Sequence, residues 1–199
     1  LYIRFEGGQS SEVYRLFTFL EDYLIVDTPP GTSDEHISTV QYLQKAGTIS
    51  GAILVTTPEE VAMADVRKEL NFCQKTSVPV LGLIENMGKF NMPFQKLQFS
   101  SKDGKDLSAE ILEKIKKACP EVLDMFVEAE LFPPSGGGPK AMADQYGIPY
   151  WGVLPMDPQL LQCCETGETF VDEHPTTKAA AAFTDFCNSI TTTLQVEEV

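Results

Sequence analysis

Asp22-Tyr23-Leu24-Ile25-Val26-Asp27-Thr28-Pro29-Pro30-Gly31-Thr32-Ser33-Asp34-Glu35 is the stretch whose reading decides the fold. The apolar run at 23–26 is too short for a buried helix. Its lack of alternation predicts a strand covered on both faces, as in a parallel sheet. The run ends on a carboxylate. Open α/β sheets bind ligands at the carboxyl ends of their strands, so Asp27 is placed to hold a phosphate-bound magnesium directly or through water. Gly31 then offers a backbone N–H with no Cβ to keep a ligand oxygen away, on a path stiffened by Pro29 and Pro30. Thr32 and Glu35 have capping-box spacing, so a helix is expected to start there with Ile37, Val40 and Leu43 or Ala46 inward. A plainer reading fits the same residues: Pro-Pro-Gly ends a strand and Asp27 caps the turn. Local chemistry alone leaves the two equal.

Beyond this stretch, composition sets bounds. A chain of 199 residues suits one domain with a sizeable core. Its formal net charge of -14 argues against nucleic acid or an anionic membrane as a partner for any broad basic face, while leaving room for one local phosphate site. The five cysteines, Cys73, Cys119, Cys163, Cys164 and Cys187, are odd in number and scattered. That fits reduced thiols in a cytoplasmic protein better than a disulfide framework. No apolar run reaches membrane-spanning length.

Along the chain, Ser10 or Ser11 is expected to cap a helix with Val13, Leu16, Phe17 and Leu20 on one face. Gly47 fits a helix end, and 51–56 reads as a second buried strand. Thr57-Pro58-Glu59-Glu60 combines a cap, a first-turn proline and a capping-box Glu, with Val66, Leu70 and Cys73 facing inward on the helix that follows. A third strand at 80–86 ends on Glu85 and Asn86. The Asn86 amide can donate to and accept from the edge of a purine, or can simply make an Asx turn. Residues 102–130 are charged and helical, with Leu107, Ile111, Ile115 and Ala118 inward and Glu110/Lys114 and Glu113/Lys117 as i, i+4 pairs. Pro120 should end that helix.

Gly136-Gly137-Gly138-Pro139-Lys140 lacks the terminal Gly-Lys-Ser/Thr of a phosphate loop and has no strand before it, so it reads as the lead-in to a helix carrying Met142 and Tyr146. A fourth strand at 148–155 runs into Pro155-Met156-Asp157-Pro158, where Asp157 has the position of a helix cap. Cys163 and Cys164 are neighbours and diverge by about 100° on a helix, the wrong spacing for a chelating pair. His36 and His174 have no metal-ligand pattern around them and read as surface or capping residues. A last helix at about 176–194 buries Ala179, Ala182/Phe183, Phe186, Ile190 and Leu194; Cys73 on the earlier helix and Cys187 on this one are both expected in cores.

The segment at 22–36 closely resembles the Walker B and switch II region of the Mrp-type ATPases, relatives of MinD and ParA that help assemble iron-sulfur clusters. The resemblance is close over 22–87 and returns over 132–170. It implies an α/β fold, a mainly parallel sheet with helices on both faces, in a P-loop NTPase whose phosphate loop lies upstream of Leu1; the chain is then an amino-terminally incomplete single domain over 1–199 with an inserted helical segment at about 100–130. It also implies Asp27 and Gly31 as catalytic residues, Asp27 as the magnesium partner through water, and Asn86, Pro155 and Asp157 as the adenine side of an ATP site. Where the cytosolic members carry Cys-Pro-x-Cys, register by Met87, Phe90 and Pro93 puts Met92 and Gln95. Neither supplies the thiolate on which iron-sulfur clusters chiefly depend, so no intact 4Fe–4S site is expected in this loop, and Met92 reads as an exposed apolar residue at a dimer contact. The family's function would be slow Mg-dependent ATP hydrolysis coupled to cluster assembly or transfer, in a homo- or heterodimer with a related ATPase and with iron-sulfur carrier or recipient proteins as clients. Two other classes fit the same residues: a regulatory or partitioning-type ATPase without a cluster, and a catalytically silent scaffold for an active partner.

Overall fold

A computed structural model describes residues 2–3, 24–28, 34–46, 49–132 and 136–196. The described elements, in chain order, are β1 (Tyr2–Ile3), β2 (Leu24–Ile25), α1 (Asp34–Ala46), β3 (Ala52–Thr56), α2 (Glu60–Lys75), β4 (Val80–Pro93) and α3 (Ser108–Ala118). They continue with β5 (Phe126–Ala129), α4 (Gly138–Tyr146), β6 (Tyr150–Met156), α5 (Pro158–Thr166), α6 (Phe170–Glu173) and α7 (Lys178–Val196). The fold is α/β. It divides into two compact units: one of Leu1–Asn86, Pro134–Gly152 and Thr184–Val199, the other of Met87–Pro133 and Val153–Phe183.

In the first unit, β3 and β4 pair in parallel, with a register shift between Ala52 and Ile53, and α2 makes the crossover that a parallel pair requires. The shift sets which residues face which way. Leu54 and Leu83 meet Met63, Val66 and Leu70 of α2 and Met142 and Ala143 of α4, while Ile53, Leu81 and Trp151 meet Ile190 and Leu194 of α7. Helices therefore cover both faces of the strands. The inward period of α2 is as expected, with Cys73 also buried.

Gly82 is the tightest point of this packing. A Cβ there would lie 2.2 to 2.5 Å from three atoms of the Trp151 indole. Gly82→Ala should cost about 1–3 kcal/mol, because a ring already packed against Leu81 and α7 has to move. The midpoint and slope of urea unfolding check this, and an unchanged midpoint would show the indole free to slide.

Several expectations are corrected here. The described part of the run, 24–26, is not a strand covered on both faces: β2 is Leu24–Ile25, pairs antiparallel with β1, and leaves Ile25 70% exposed while Val26 packs on the core. A short apolar run is buried on both faces only where other elements pack on each of them, and here the side of Ile25 is open. On α1 the inward face is His36, Val40 and Leu43, and Ile37 is exposed. Val40 and Leu43 face inward as expected, and His36, one turn before Val40, takes the place of Ile37 where it meets Phe72 edge-on at 6.2 Å between ring centres. His36 is thus a core residue. Helix α2 starts at Glu60 with Glu59 as its cap position; Thr57 hydrogen-bonds the Glu59 carboxylate instead of the helix amides. Ser10, Ser11, Gly31, Thr32 and Gly47 lie outside the described residues.

In the second unit, β4 does not stop at Asn86. It runs on to Pro93, and residues 90–93 pair antiparallel with β5. Met87, where the chain passes between units, has φ 59°, a left-handed conformation rare for a residue with a side chain. The segment at about 100–130 is not one helical insertion. It is the helix α3, a 3-10 turn at Pro120–Asp124 and the strand β5, with Ala118 exposed and the Glu110–Lys114 pair formed at 2.6 Å. This unit's core gathers Cys163 of α5, Phe170 of α6 and Ala179 and Ala180 of α7 around Leu154 and Phe183. Cys187 is exposed, one residue past the inward Phe186 and so about 100° round the helix.

Candidate functional site

The carboxyl end of β3 lies beside the middle of β4, with Thr56 opposite Glu85. That is where an α/β sheet collects ligand-binding groups. Thr56 is buried, its hydroxyl donating to the Thr57 carbonyl. Glu85 accepts a 2.7 Å hydrogen bond from the Tyr150 hydroxyl, and burial together with that carboxylate raises the phenol above its usual range. The phenol is therefore a fixed donor that ties β4 at Glu85 to the start of β6. Asn86 follows, half-buried, and among the described residues its side-chain amide has no hydrogen-bond partner.

Asp27 stands two residues past β2 and is exposed to solvent. An exposed carboxylate at a strand end can reach a hydrated magnesium without a desolvation cost. Next to it Thr28 lines a cavity of about 50 Å³ with His36, Thr39, Glu69 and Cys73. Burial, with the nearby Glu69 carboxylate, pushes the Cys73 thiol up to about 11, so it stays protonated at neutral pH.

The remaining candidates belong to the second unit. Asp157 caps α5, its carboxylate accepting the Gln159 amide at 2.8 Å. The side chain is committed to the helix, which leaves the backbone around it to meet a ligand. Pro155 is buried and lines a cavity of about 230 Å³ with Lys89, Asn91, Val153, Glu128 and Lys178. Glu128 accepts a hydrogen bond from Asn91 and pairs with Lys178; the bond and charge of the Lys178 ammonium, with Lys89 nearby, hold its carboxyl below the ordinary range. Sequence reasoning missed this cluster: Asn91 and Glu128 are cross-strand partners in a pairing with no local signal.

Met92 is half-buried in β4 opposite Val127, and Gln95 sits in a 3-10 turn with its amide donating to the Leu123 carbonyl at 2.9 Å. Met92 is thus a sheet residue and not an exposed loop residue. Cys163 is buried and Cys164 exposed, diverging as their adjacency requires. Among the described residues no group of three or more His, Cys, Asp or Glu is arranged to hold a metal ion. The three glycines at 136–138 all have left-handed φ, between 60° and 88°, and lead into α4 as expected.

A family model described as ParA, NUBPL iron-transfer P-loop NTPase, matches residues 18–118, just over half of the chain and the part that carries Asp27 and Asn86. The chain belongs to this family. As a ParA-family P-loop NTPase it falls in a group whose members bind nucleotide with magnesium. The cytosolic Fe-S cluster assembly factor NBP35 of Kluyveromyces lactis is 42% identical over 169 residues, which is 85% of this chain and 42% of that protein. NBP35 of Eremothecium gossypii is 42% identical over 161 residues, 81% of this chain and 39% of that one. The ParA-family chain therefore spans about two-fifths of the length of these curated relatives. Among solved structures, the cell division ATPase MinD of Pyrococcus furiosus superposes with a TM-score of 0.54 at 21% identity, over 91% of this chain and 56% of that one. MinD of Pyrococcus horikoshii, solved with Mg-ADP, gives 0.53 at 22% identity, over 90% and 54%. At that identity the likeness is one of fold. Among the described residues no helix is long and apolar enough to cross a membrane.

Proposed function

We propose that this chain forms part of an ATP- and magnesium-binding protein of the Mrp type that works in cytosolic iron-sulfur cluster assembly or transfer, as a homo- or heterodimer serving iron-sulfur carrier or recipient proteins. The observation that carries this reading is the 42% identity with two cytosolic Fe-S cluster assembly factors over more than four-fifths of the chain. In this reading residues 1–199 make one P-loop NTPase-like domain. Asp27 holds magnesium through water, Gly31 offers its amide to the phosphates, Asn86 reads the adenine edge, and the backbone at Pro155 and Asp157 lies along the base. Two features support the fit: the Asp27 carboxylate is exposed, and the Asn86 amide is unengaged among the described residues. Magnesium would neutralise phosphate charge; the chain's own residues would position the base and order the water around the ion.

Nucleotide selectivity in the full-length protein tests it. Asn86→Ala should lower the preference for ATP over GTP by about tenfold or more, since a site that hydrogen-bonds a base loses its discrimination when the bonding group is removed. Unchanged selectivity would take Asn86 out of the site. A second reading, a regulatory ATPase with no cluster of its own, is favoured by Met92 and Gln95, a thioether and an amide tied into β4 and the turn after it.

A further inference from the structure

Residues two apart on a strand point the same way, so β4 turns Lys89 and Asn91 to one side, and the ladder register puts Glu128 of β5 opposite Asn91. Val153 and Pro155 of β6, also two apart, and Lys178, the first residue of α7, complete the lining of the cavity of about 230 Å³. All six residues belong to the second unit. The cavity shares Pro155 with the proposed nucleotide site and none of its other residues.

Bonds within the cluster account for part of it. Glu128 pairs with Lys178 and accepts from Asn91 Nδ2 at 3.4 Å. Asn91 is only 7% exposed. The carboxylate beside it fixes which way its amide lies, since the opposite placement would set oxygen against oxygen. Oδ1 therefore turns away from Glu128, and among the described residues nothing donates to it. A buried acceptor without a donor is costly, and a ligand that supplies the donor removes that cost. Lys89 is the second group left over. Its ammonium bears on the Glu128 charge, yet among the described residues it forms no ion pair, and the Glu128 charge is already matched by Lys178.

The cavity thus lacks a donor for Asn91 and an anion for Lys89. Glu128 decides which ligand supplies them. A plain anion such as phosphate would lie against that carboxylate, and like charges brought together oppose binding. A ligand with an anion at one end of a short span and a cationic donor at the other satisfies Lys89, Asn91 and Glu128 together. Val153 and Pro155 add an apolar wall, the common background for a few placed polar groups. At about 30 Å³ for each water-sized group, a cavity of about 230 Å³ takes about seven or eight of them, the size of valine. We propose that this cavity binds a free α-amino acid with a small apolar side chain. The carboxylate meets Lys89, the ammonium lies between Asn91 Oδ1 and Glu128, and the side chain rests on Val153 and Pro155.

Titration calorimetry of this chain with L-valine tests it, beside isobutylamine, which lacks the carboxylate, 2-hydroxy-3-methylbutanoate, which lacks the ammonium, inorganic phosphate, and ATP. L-Valine should bind saturably at about millimolar affinity or tighter, and each of the two truncated molecules about tenfold or more weaker, since each loses a charge-assisted bond. Lys89→Gln, at an exposed position, should weaken valine about tenfold or more. Asn91→Leu, similar in volume but without the acceptor, should do the same, whereas Lys45→Gln/Lys140→Gln should leave binding unchanged. The melting midpoint checks folding, and Lys89→Gln decides if Asn91→Leu is unfolded. Absence of valine binding at about 10 mM overturns the proposal, as does equal binding of valine by Lys89→Gln or of isobutylamine or the hydroxy acid by the unaltered chain. Phosphate binding tighter than valine would make the cavity a plain anion site, and ATP binding that is lost in Lys89→Gln would assign it to nucleotide; either overturns the amino-acid assignment.

Discussion

Asp27→Ala in the full-length protein should reduce ATP hydrolysis by about a hundredfold or more while leaving the melting midpoint within about one degree of wild type. The two halves of that expectation have separate causes. If Asp27 orders magnesium and its water at the phosphates as proposed, its removal takes away charge stabilisation as the phosphoryl group departs, and single groups of that kind are worth about two to three orders of magnitude in rate. Stability should not follow, because Asp27 is exposed and stands outside the strand ladder, and exposed substitutions away from caps and ion pairs change stability by about 0.5 kcal/mol at most. Steady-state phosphate release and a thermal melt on the same preparation check both. Wild-type turnover in the variant would remove Asp27 from the magnesium site. A collapsed melting midpoint would make it a structural residue, the turn cap of the plainer reading.

What the sequence made legible was periodic or local. Val66, Leu70 and Cys73 are one face of a helix whatever surrounds them, and Asp157 caps α5 as its position called for. Non-local choices were hidden. Whether His36 or Ile37 faces inward depends on Phe72, thirty-odd residues away, because α1 has apolar residues on more than one side. Strand β5 was lost for a similar reason: 126–129 is flanked by carboxylates, follows a helix with no strong turn signal, and becomes a strand only because residues 90–93 are there to pair with it.

The candidate site divides in the same way. Strand ends rich in Asp27, Glu85 and Asn86 were visible, since a polar residue closing an apolar run stands out. The hydrogen bond from Tyr150 to Glu85 and the Asn91–Glu128–Lys178 cluster were not, because each joins residues far apart in sequence. Chemistry at a strand end reads locally, whereas the groups that orient it come from elsewhere in the fold.

Anaerobic reconstitution of this chain with iron and sulfide should yield no stoichiometric 4Fe–4S centre, and Met92→Cys/Gln95→Cys should bring one in at about four irons per dimer. The argument is a count of thiolates. Cys73 and Cys163 are buried, and the Cys73 thiol, pushed up to about 11, holds its proton at the pH of reconstitution. Cys119, Cys164 and Cys187 are exposed but lie on separate elements, and Cys164 points away from its neighbour, so none offers the paired ligands a bridging cluster takes from each subunit. In the register set by Met87, Phe90 and Pro93 the pair would fall at 92 and 95, where this chain has a thioether packed opposite Val127 and an amide hydrogen-bonded to Leu123. Cysteines there must pull the end of β4 and the following turn away from β5 to chelate, so the double variant should gain its cluster together with a lower melting midpoint before loading. Iron and acid-labile sulfide analysis with the broad absorption near about 400 nm typical of such clusters reads the outcome. A wild-type centre that disappears in Cys164→Ser would mean that the cluster site lies outside the 92–95 register. A double variant that stays colourless would mean that the strand pairing, and not the missing thiolates alone, keeps a cluster out.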